Sequence, residues 1–199
     1  MYMNLKQNKI LALALIEEFN PDNPFLTDDE DIQSRLNSLY NACLTNLARQ
    51  KRIEKTFVFD NRTETEDTYY EEFDLPSDLY MIRDVVIQDQ ETNSIKEIQS
   101  DWYRLKKQIY INSQVKGTAI LIYYAYPKEI KDDEDDEKYK FDIDRDIQYV
   151  LPYAVASDIL KSDRSVDYTA FENKYRTELS SLNPNKEEMQ VHVSGGLNI

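Results

Sequence analysis

The sequence predicts an α+β chain in which terminal helices flank an inserted antiparallel β unit. Helical periodicity covers residues 4–52 and returns after residue 144, whereas residues 55–126 form short β-type runs separated by polar, hairpin-like gaps. A hydrophobic share of 41% over 199 residues is enough for a core. We therefore expect a four-helix bundle, a β unit folded as a small barrel or sandwich, and an extended C-terminal arm.

The first helix is predicted at residues 4–18. Its apolar run, residues 10–16, resembles the core of a secretory signal, but it stops at Glu17 and Glu18 and no small-residue cleavage site follows. Pro21 and Pro24 disfavour helix in the residues before them, so they break the helix. The run is therefore interpreted as a helix of the folded chain.

The second helix carries the strongest signal in the sequence. Thr27 and Glu30 have the spacing of a capping box, and acidic residues follow at the positive end of the helix dipole. Five side chains recur on one apolar face: Ile32, Leu36, Leu39, Cys43 and Leu47. Cys43, the lone cysteine, is thus predicted to be a buried, unreactive thiol.

Five strands are predicted in the middle of the chain, at residues 56–60, 68–74, 80–88, 108–112 and 118–126. The last of these runs is apolar on both faces, which requires that protein cover each face. It is therefore predicted to be the central strand.

Two further helices are predicted after residue 144. Asp144 is expected to cap the third, with Pro152 in its first turns or bending it. Ser165 or Asp167 is expected to cap the fourth, whose apolar side carries Tyr168, Phe171, Tyr175, Leu179 and Leu182. The predicted domains are a helical bundle (1–53 plus 141–183), a β domain (54–131), an acidic loop (132–140) and a C-terminal arm (184–199).

Charge limits the classes of partner. The net charge of −14 opposes binding to nucleic acid, because such binding depends on Lys and Arg displacing counterions from phosphates. Anionic membrane surfaces are disfavoured for the same reason. No segment approaches the roughly 20 apolar residues of a membrane span.

The sequence predicts no catalytic, cofactor-binding or metal-binding residue. The only histidine, His192, has no nearby Ser or Cys partner, and three glycines are too few for a phosphate-binding loop. Three aspartates, Asp142, Asp144 and Asp146, have the spacing that begins a calcium-binding loop. The sixth position of that loop is Ile147 where Gly is needed, and the twelfth is Tyr153 where Glu is needed.

Two segments are candidates for contact with other molecules. Six consecutive carboxylates repel one another and predict a solvated, flexible loop: Asp132, Asp133, Glu134, Asp135, Asp136 and Glu137. The C-terminal arm keeps apolar residues in a segment too small to fold alone, which predicts docking on a partner or fraying. These residues are Met189, Val191, Val193, Leu197 and Ile199.

Several phrases, in their order along the chain, resemble those of phage head–tail adaptor proteins. They are Leu75-Pro76-Ser77-Asp78-Leu79-Tyr80, then Trp102-Tyr103-Arg104, then Gln108-Ile109-Tyr110-Ile111, then Gly117 and Ile122-Tyr123-Tyr124-Ala125-Tyr126-Pro127. The helical run Tyr149-Val-Leu-Pro-Tyr-Ala-Val-Ala156 and a Phe/Tyr helix at 171–175 follow. The likeness covers most of residues 5–183, and the acidic run and the arm depart from it.

The resemblance implies a structural virion protein without enzymatic activity, made in the host cytoplasm and located at the head–tail interface. Such a subunit forms a closed ring, commonly of twelve copies, that docks on the portal protein and presents a surface to the next tail or ring component. DNA passes through the channel without specific binding, and no membrane or cofactor is involved. The acidic loop is expected to face this channel, since a negative wall gives phosphate no counterion release.

Other interpretations stay open at the level of sequence. An acidic inhibitor that mimics DNA also needs negative charge and no active site. Another non-enzymatic protein-binding module is a further alternative. An unrecognised enzyme is a third reading. The fifteen tyrosines fit either interfaces or an ordinary core.

Overall fold

The computed structural model describes residues 3–59, 69–89, 91–161 and 167–181. Within these ranges the chain is α+β, as predicted, with four helices and two antiparallel sheets. The helices are α1 (Leu5–Leu15), α2 (Glu30–Gln50), α3 (Arg145–Leu160) and α4 (Thr169–Ser181). The strands are β1 (Ile53–Phe59), β2 (Tyr70–Asp74), β3 (Leu79–Gln88), β4 (Ile95–Glu97), β5 (Trp102–Leu105), β6 (Gln108–Asn112) and β7 (Thr118–Ala125).

The chain divides into two compact units. The helical unit takes in the described residues of 1–43, 132–140 and 144–199, and the β unit takes in those of 44–131 and 141–143. These boundaries differ from the predicted ones in three places. The acidic loop belongs with the helices, whereas the last residues of α2 and residues 141–143 belong with the strands.

Both ends of α1 are closed by hydrogen bonds. Asn4 and Gln7 form a capping box at the start, each side chain accepting from the other's backbone N–H. At the end, Glu17 has a φ of 62°, and the N–H of Glu18 returns to the carbonyl of Leu13. This is the Schellman arrangement, with glutamate where glycine is usual.

The start of α2 differs from the prediction. Asp29, not Thr27, caps the helix, because its Oδ1 accepts from the N–H of Ile32 and its carbonyl accepts from that of Gln33. Thr27 is buried just before the helix, where its hydroxyl accepts from the N–H of Asp29. Four of the five predicted face residues are buried: Ile32, Leu36, Cys43 and Leu47.

Of the caps predicted for the last two helices, the one at Asp167 is confirmed and the one at Asp144 is not. Asp144 precedes α3 but its side chain makes no capping hydrogen bond. Pro152 lies inside α3, beyond the first turn. Asp167 does accept from the N–H of Thr169, the first residue of α4, at 2.9 Å.

Three helices of the helical unit are joined by one buried polar chain. Asn8 of α1, fully buried, donates through Nδ2 to the carbonyl of Gln148 in α3 at 2.8 Å. Its Oδ1 accepts from the hydroxyl of Tyr40 in α2 at 3.1 Å. Pro152 explains the first bond, because proline has no N–H and so leaves the carbonyl four residues earlier without its helical donor.

The larger sheet has the order β1-β7-β3-β4, so β7 is an inner strand as predicted. Alternate residues of β7 are buried: Ala119, Leu121, Tyr123 and Ala125. Gly117, just before β7, has a φ of 110° and approaches β3 so closely that a Cβ would lie 2.6 Å from the carbonyl oxygen of Gln88. Only glycine fits there.

The smaller sheet has the order β2-β6-β5. One of its faces is buried through Ile109 and Ile111, and the ring of Phe73 contacts Phe59 of the larger sheet at 5.1 Å. Two strands, β4 and β5, were not predicted. The first has three residues, all exposed, and the second shows no clean alternation of burial.

Candidate assembly surfaces

The acidic loop is held against α1. The backbone N–H of Lys6 donates to the carbonyl of Asp136, and Lys9 Nζ lies 2.8 Å from the carboxylate of the same residue. Lys6 Nζ lies 2.7 Å from Glu137, a hydrogen bond that raises the pKa of Lys6. Tyr139, two residues after the run, is buried.

The loop was predicted to be solvated and flexible, and these contacts anchor it to α1. Like charges do repel along the run, but cations from α1 and from Lys138 compensate three of its carboxylates. Asp132 and Asp133 are exposed. The loop is therefore a structured edge of the helical unit that displays negative charge.

Alternate residues of this loop border a groove on the helical unit. The groove has a volume of about 400 Å³. Buried Leu26 and Leu36 form its apolar part, and Phe25 stands beside them with 66% of its surface exposed. The acidic residues that border it are Asp132, Glu134 and Asp136.

The β5–β6 hairpin displays a basic tip on the β unit. All five residues from Tyr103 to Lys107 are exposed, and Leu105 keeps 54% of its surface accessible. Arg104 Nε donates to the carbonyl of Lys106, and the carbonyl of Lys107 accepts from the N–H of Leu75. The tip thus combines three cations, Arg104, Lys106 and Lys107, with the exposed Leu105. Hydrogen bonds hold its backbone in place.

Beside the tip, the open face of the smaller sheet carries a tyrosine cluster. Tyr103 stacks on Tyr110 with ring centroids 4.8 Å apart and contacts Tyr70 edge-on at 5.0 Å. Tyr110 donates to Glu72. Burial and this bond raise the pKa of Tyr110, so its hydroxyl stays neutral at physiological pH. Other tyrosines belong to the core, among them Tyr40 and Tyr139, so the tyrosines divide between core and surface.

A four-residue clamp joins distant parts of the β unit. Lys55 Nζ of β1 lies 2.9 Å from the carboxylate of Asp78, before β3, and 3.0 Å from that of Asp142. Tyr123 of β7 donates to the other oxygen of Asp78 at 3.0 Å. The returning segment 141–143 is in this way tied to the sheet.

The electrostatics of the clamp favour a structural role. Burial raises the pKa of Tyr123 to about 12, and its bond to Asp78 acts in the same direction. Burial opposes the charge on Lys55, but its two carboxylate partners outweigh this and raise its pKa. The same partners, Lys55 and Tyr123, lower the pKa of Asp78 against the effect of burial. Near neutral pH neither Lys55 nor Tyr123 is therefore available as a base.

The remaining predicted sites are placed as follows. The arm residues Met189, Val191, Val193, Leu197 and Ile199 lie outside the described residues, as does His192. Cys43 is buried, which raises the pKa of its thiol, and its sulfur lies 3.4 Å from an oxygen of Asp158. Within the described ranges there is no group of three potential metal ligands. No helix there is long and apolar enough to cross a membrane.

No known family model matches this chain, and no curated protein matches it either.

Reasoning from sequence missed the groove and the basic tip. The groove joins residues about a hundred positions apart, so no local pattern indicates it. The tip had a local signal, since Arg104, Lys106 and Lys107 form a basic group in a strongly acidic chain.

Proposed function

We propose that this protein is a subunit of a phage head–tail adaptor ring, which docks on the portal, extends the DNA channel and provides the attachment surface for the tail. In this proposal the four helices form one bundle, residues 184–199 form a docking arm, and the ring holds twelve copies at the head–tail interface of the virion.

One observation carries the proposal: phrases of the resemblance that lie far apart in sequence meet in the clamp. Asp78 comes from the Leu-Pro-Ser-Asp phrase and Tyr123 from the Tyr-Tyr phrase 45 residues later, and they are hydrogen-bonded. The N–H of Tyr126, near the end of the second phrase, also donates to the carbonyl of Asp78. The residues that carry the resemblance therefore occur together for a physical reason: their hydrogen bonds hold the β unit together.

The surfaces of the protein support an assembling role. A closed ring repeats a contact between two different patches, so each subunit must carry both. The basic tip with its neighbouring tyrosine cluster, and the acidic groove, can supply two such patches of different chemistry. Tyrosine is also among the residues enriched in interfaces.

The acidic loop supports a role at the channel. Its exposed carboxylates, among them Asp133 and Asp135, belong to a structured edge, so they can hold negative charge at a fixed position. A wall of this kind repels phosphate and lets DNA slide. A ring that placed residues 132–137 on its outer rim would refute this part of the proposal.

The test is the mass and shape of the purified protein, alone and mixed with a candidate portal, by native mass spectrometry and negative-stain imaging. We expect closed rings, or a monomer that forms rings on the portal. A monomer that ignores the portal and blocks a nuclease would instead favour a DNA-mimicking inhibitor.

The arm has a test of its own. Deleting residues 185–199 is expected to abolish portal docking while circular dichroism and the urea midpoint stay unchanged. Docking at full strength without the arm would remove it from the proposal.

A further inference from the structure

The acidic groove defines the chemistry of whatever fills it. Three carboxylates and a single lysine, Lys9, border the groove, so an entering group should be cationic. Leu26 and Leu36 favour an apolar side chain beside that charge. The volume of about 400 Å³ is enough for the tip of a hairpin but not for a domain.

The basic tip of the β5–β6 hairpin has this chemistry. Leu105 is flanked by Arg104, Lys106 and Lys107, and all four side chains are exposed. This local positive charge occurs in a chain whose net charge is −14. Because Leu105 keeps more than half its surface exposed, covering it would gain free energy.

We propose that the basic tip of one copy inserts into the acidic groove of a second copy, with Leu105 against Phe25 and with Lys106 and Lys107 facing Asp132 and Glu134. This inference rests on the proposed ring and assigns the subunit contact within it. Groove and tip are different surfaces, so the contact is head-to-tail and each copy can both give a tip and receive one.

Charge reversal tests the contact directly. The tip-reversed variant is Lys106→Glu with Lys107→Glu, and the groove-reversed variant is Asp132→Lys with Glu134→Lys. Each should raise the dissociation constant of self-association by more than about tenfold, because like charges then face each other. The measurement is sedimentation velocity at low salt over a range of protein concentrations.

Mixing the two variants is the decisive step. In an equimolar mixture every tip meets a groove of opposite charge, so assembly should return with the two variants alternating. This rescue also shows that both variants are folded. The matched control is Lys96→Glu with Lys116→Glu, which makes the same charge change at exposed sites of the β unit and should leave association unchanged.

Each adverse outcome has a separate meaning. Wild-type protein that stays monomeric at every concentration, reversed variants that associate normally, or a mixture that stays monomeric would each overturn the tip-and-groove contact. Rings that form on the portal in spite of such a result would leave the adaptor function standing. Tip-dependent association into open filaments would instead support the contact and count against a closed ring.

Discussion

The helical unit and the β unit differ in where they place polar and aromatic side chains. In the helical unit, Asn8 and Tyr40 are buried and bonded across three helices. In the β unit, Tyr70 and Tyr103 are exposed on the small sheet, where their rings meet edge-on. A buried polar chain makes one arrangement of helices preferable to its alternatives, whereas an open aromatic face adds little to stability and is suited to contact.

Breaking the buried chain should have the largest effect. Asn8→Leu removes the two buried hydrogen bonds of Asn8, to the Gln148 carbonyl and from the Tyr40 hydroxyl, which is expected to lower the free energy of unfolding by roughly 2–4 kcal/mol. Urea unfolding followed by circular dichroism measures the loss.

Pro152→Ala supplies the control for that prediction. Alanine restores a backbone N–H that can bond the Gln148 carbonyl within α3, so Asn8→Leu should cost less in this background. Strictly additive costs in the double-mutant cycle would show that Asn8 does not act through the carbonyl that proline leaves open.

Breaking the clamp of the β unit should have an intermediate effect. Tyr123→Phe removes a hydrogen bond to the Asp78 carboxylate, and we expect a loss of about 1–1.5 kcal/mol at neutral pH, since the clamp is partly exposed. Tyr80→Phe, at an exposed tyrosine of the same sheet, is the matched control and should lie near zero.

The clamp also predicts a dependence on pH. The pKa of Tyr123 is about 12 in the folded protein against about 10 when unfolded, so its stabilisation is complete below pH 10 and is lost as the pH rises toward 12. The lowered pKa of Asp78 acts at the other end, where stability is lost as the pH falls below roughly 4. Stability curves of wild type and Tyr123→Phe should therefore converge above pH 10; a constant gap would contradict the assignment.

Changing the open face should have the smallest effect on stability. Tyr103→Ser removes two ring contacts at the surface and should cost about 0.5–1 kcal/mol. Thermal unfolding checks this value. A loss as large as that of Asn8→Leu would mean that the face is part of the core and would end the contrast between the units.

Local patterns predicted much of the fold because their causes are local. The 3.6-residue period of α2 and the doubly apolar run of β7 both follow from burial along a single element. The N-cap of α2 was predicted at the wrong residue because Thr27 and Asp29 are both favourable N-cap residues and lie two positions apart. Only the helical hydrogen bond from the Gln33 N–H to the Asp29 carbonyl shows that Asp29 is the N-cap. Strand β4 was missed because three exposed residues form no pattern.

The surfaces were harder to predict, since they join residues distant in sequence. Charge repulsion within residues 132–137 was visible, but Lys6 and Lys9, which hold the loop, precede it by more than a hundred residues. Asn8 in an apolar helix and Pro152 within another were each an available signal. Their connection through the Gln148 carbonyl required the packing of α1 on α3.

The hydrogen bond between Asn8 and the Gln148 carbonyl joins residues 140 positions apart. During synthesis on the ribosome it can therefore form only after α3 has been made. Strands β1 to β7 emerge together and can pair soon after they leave the exit tunnel, whereas α1 is made first and must wait for α3. Throughout that interval the apolar side of α1 has no permanent cover. Nascent chains of this protein should therefore depend on chaperones through their first helix, and fragments that stop before α3 should aggregate.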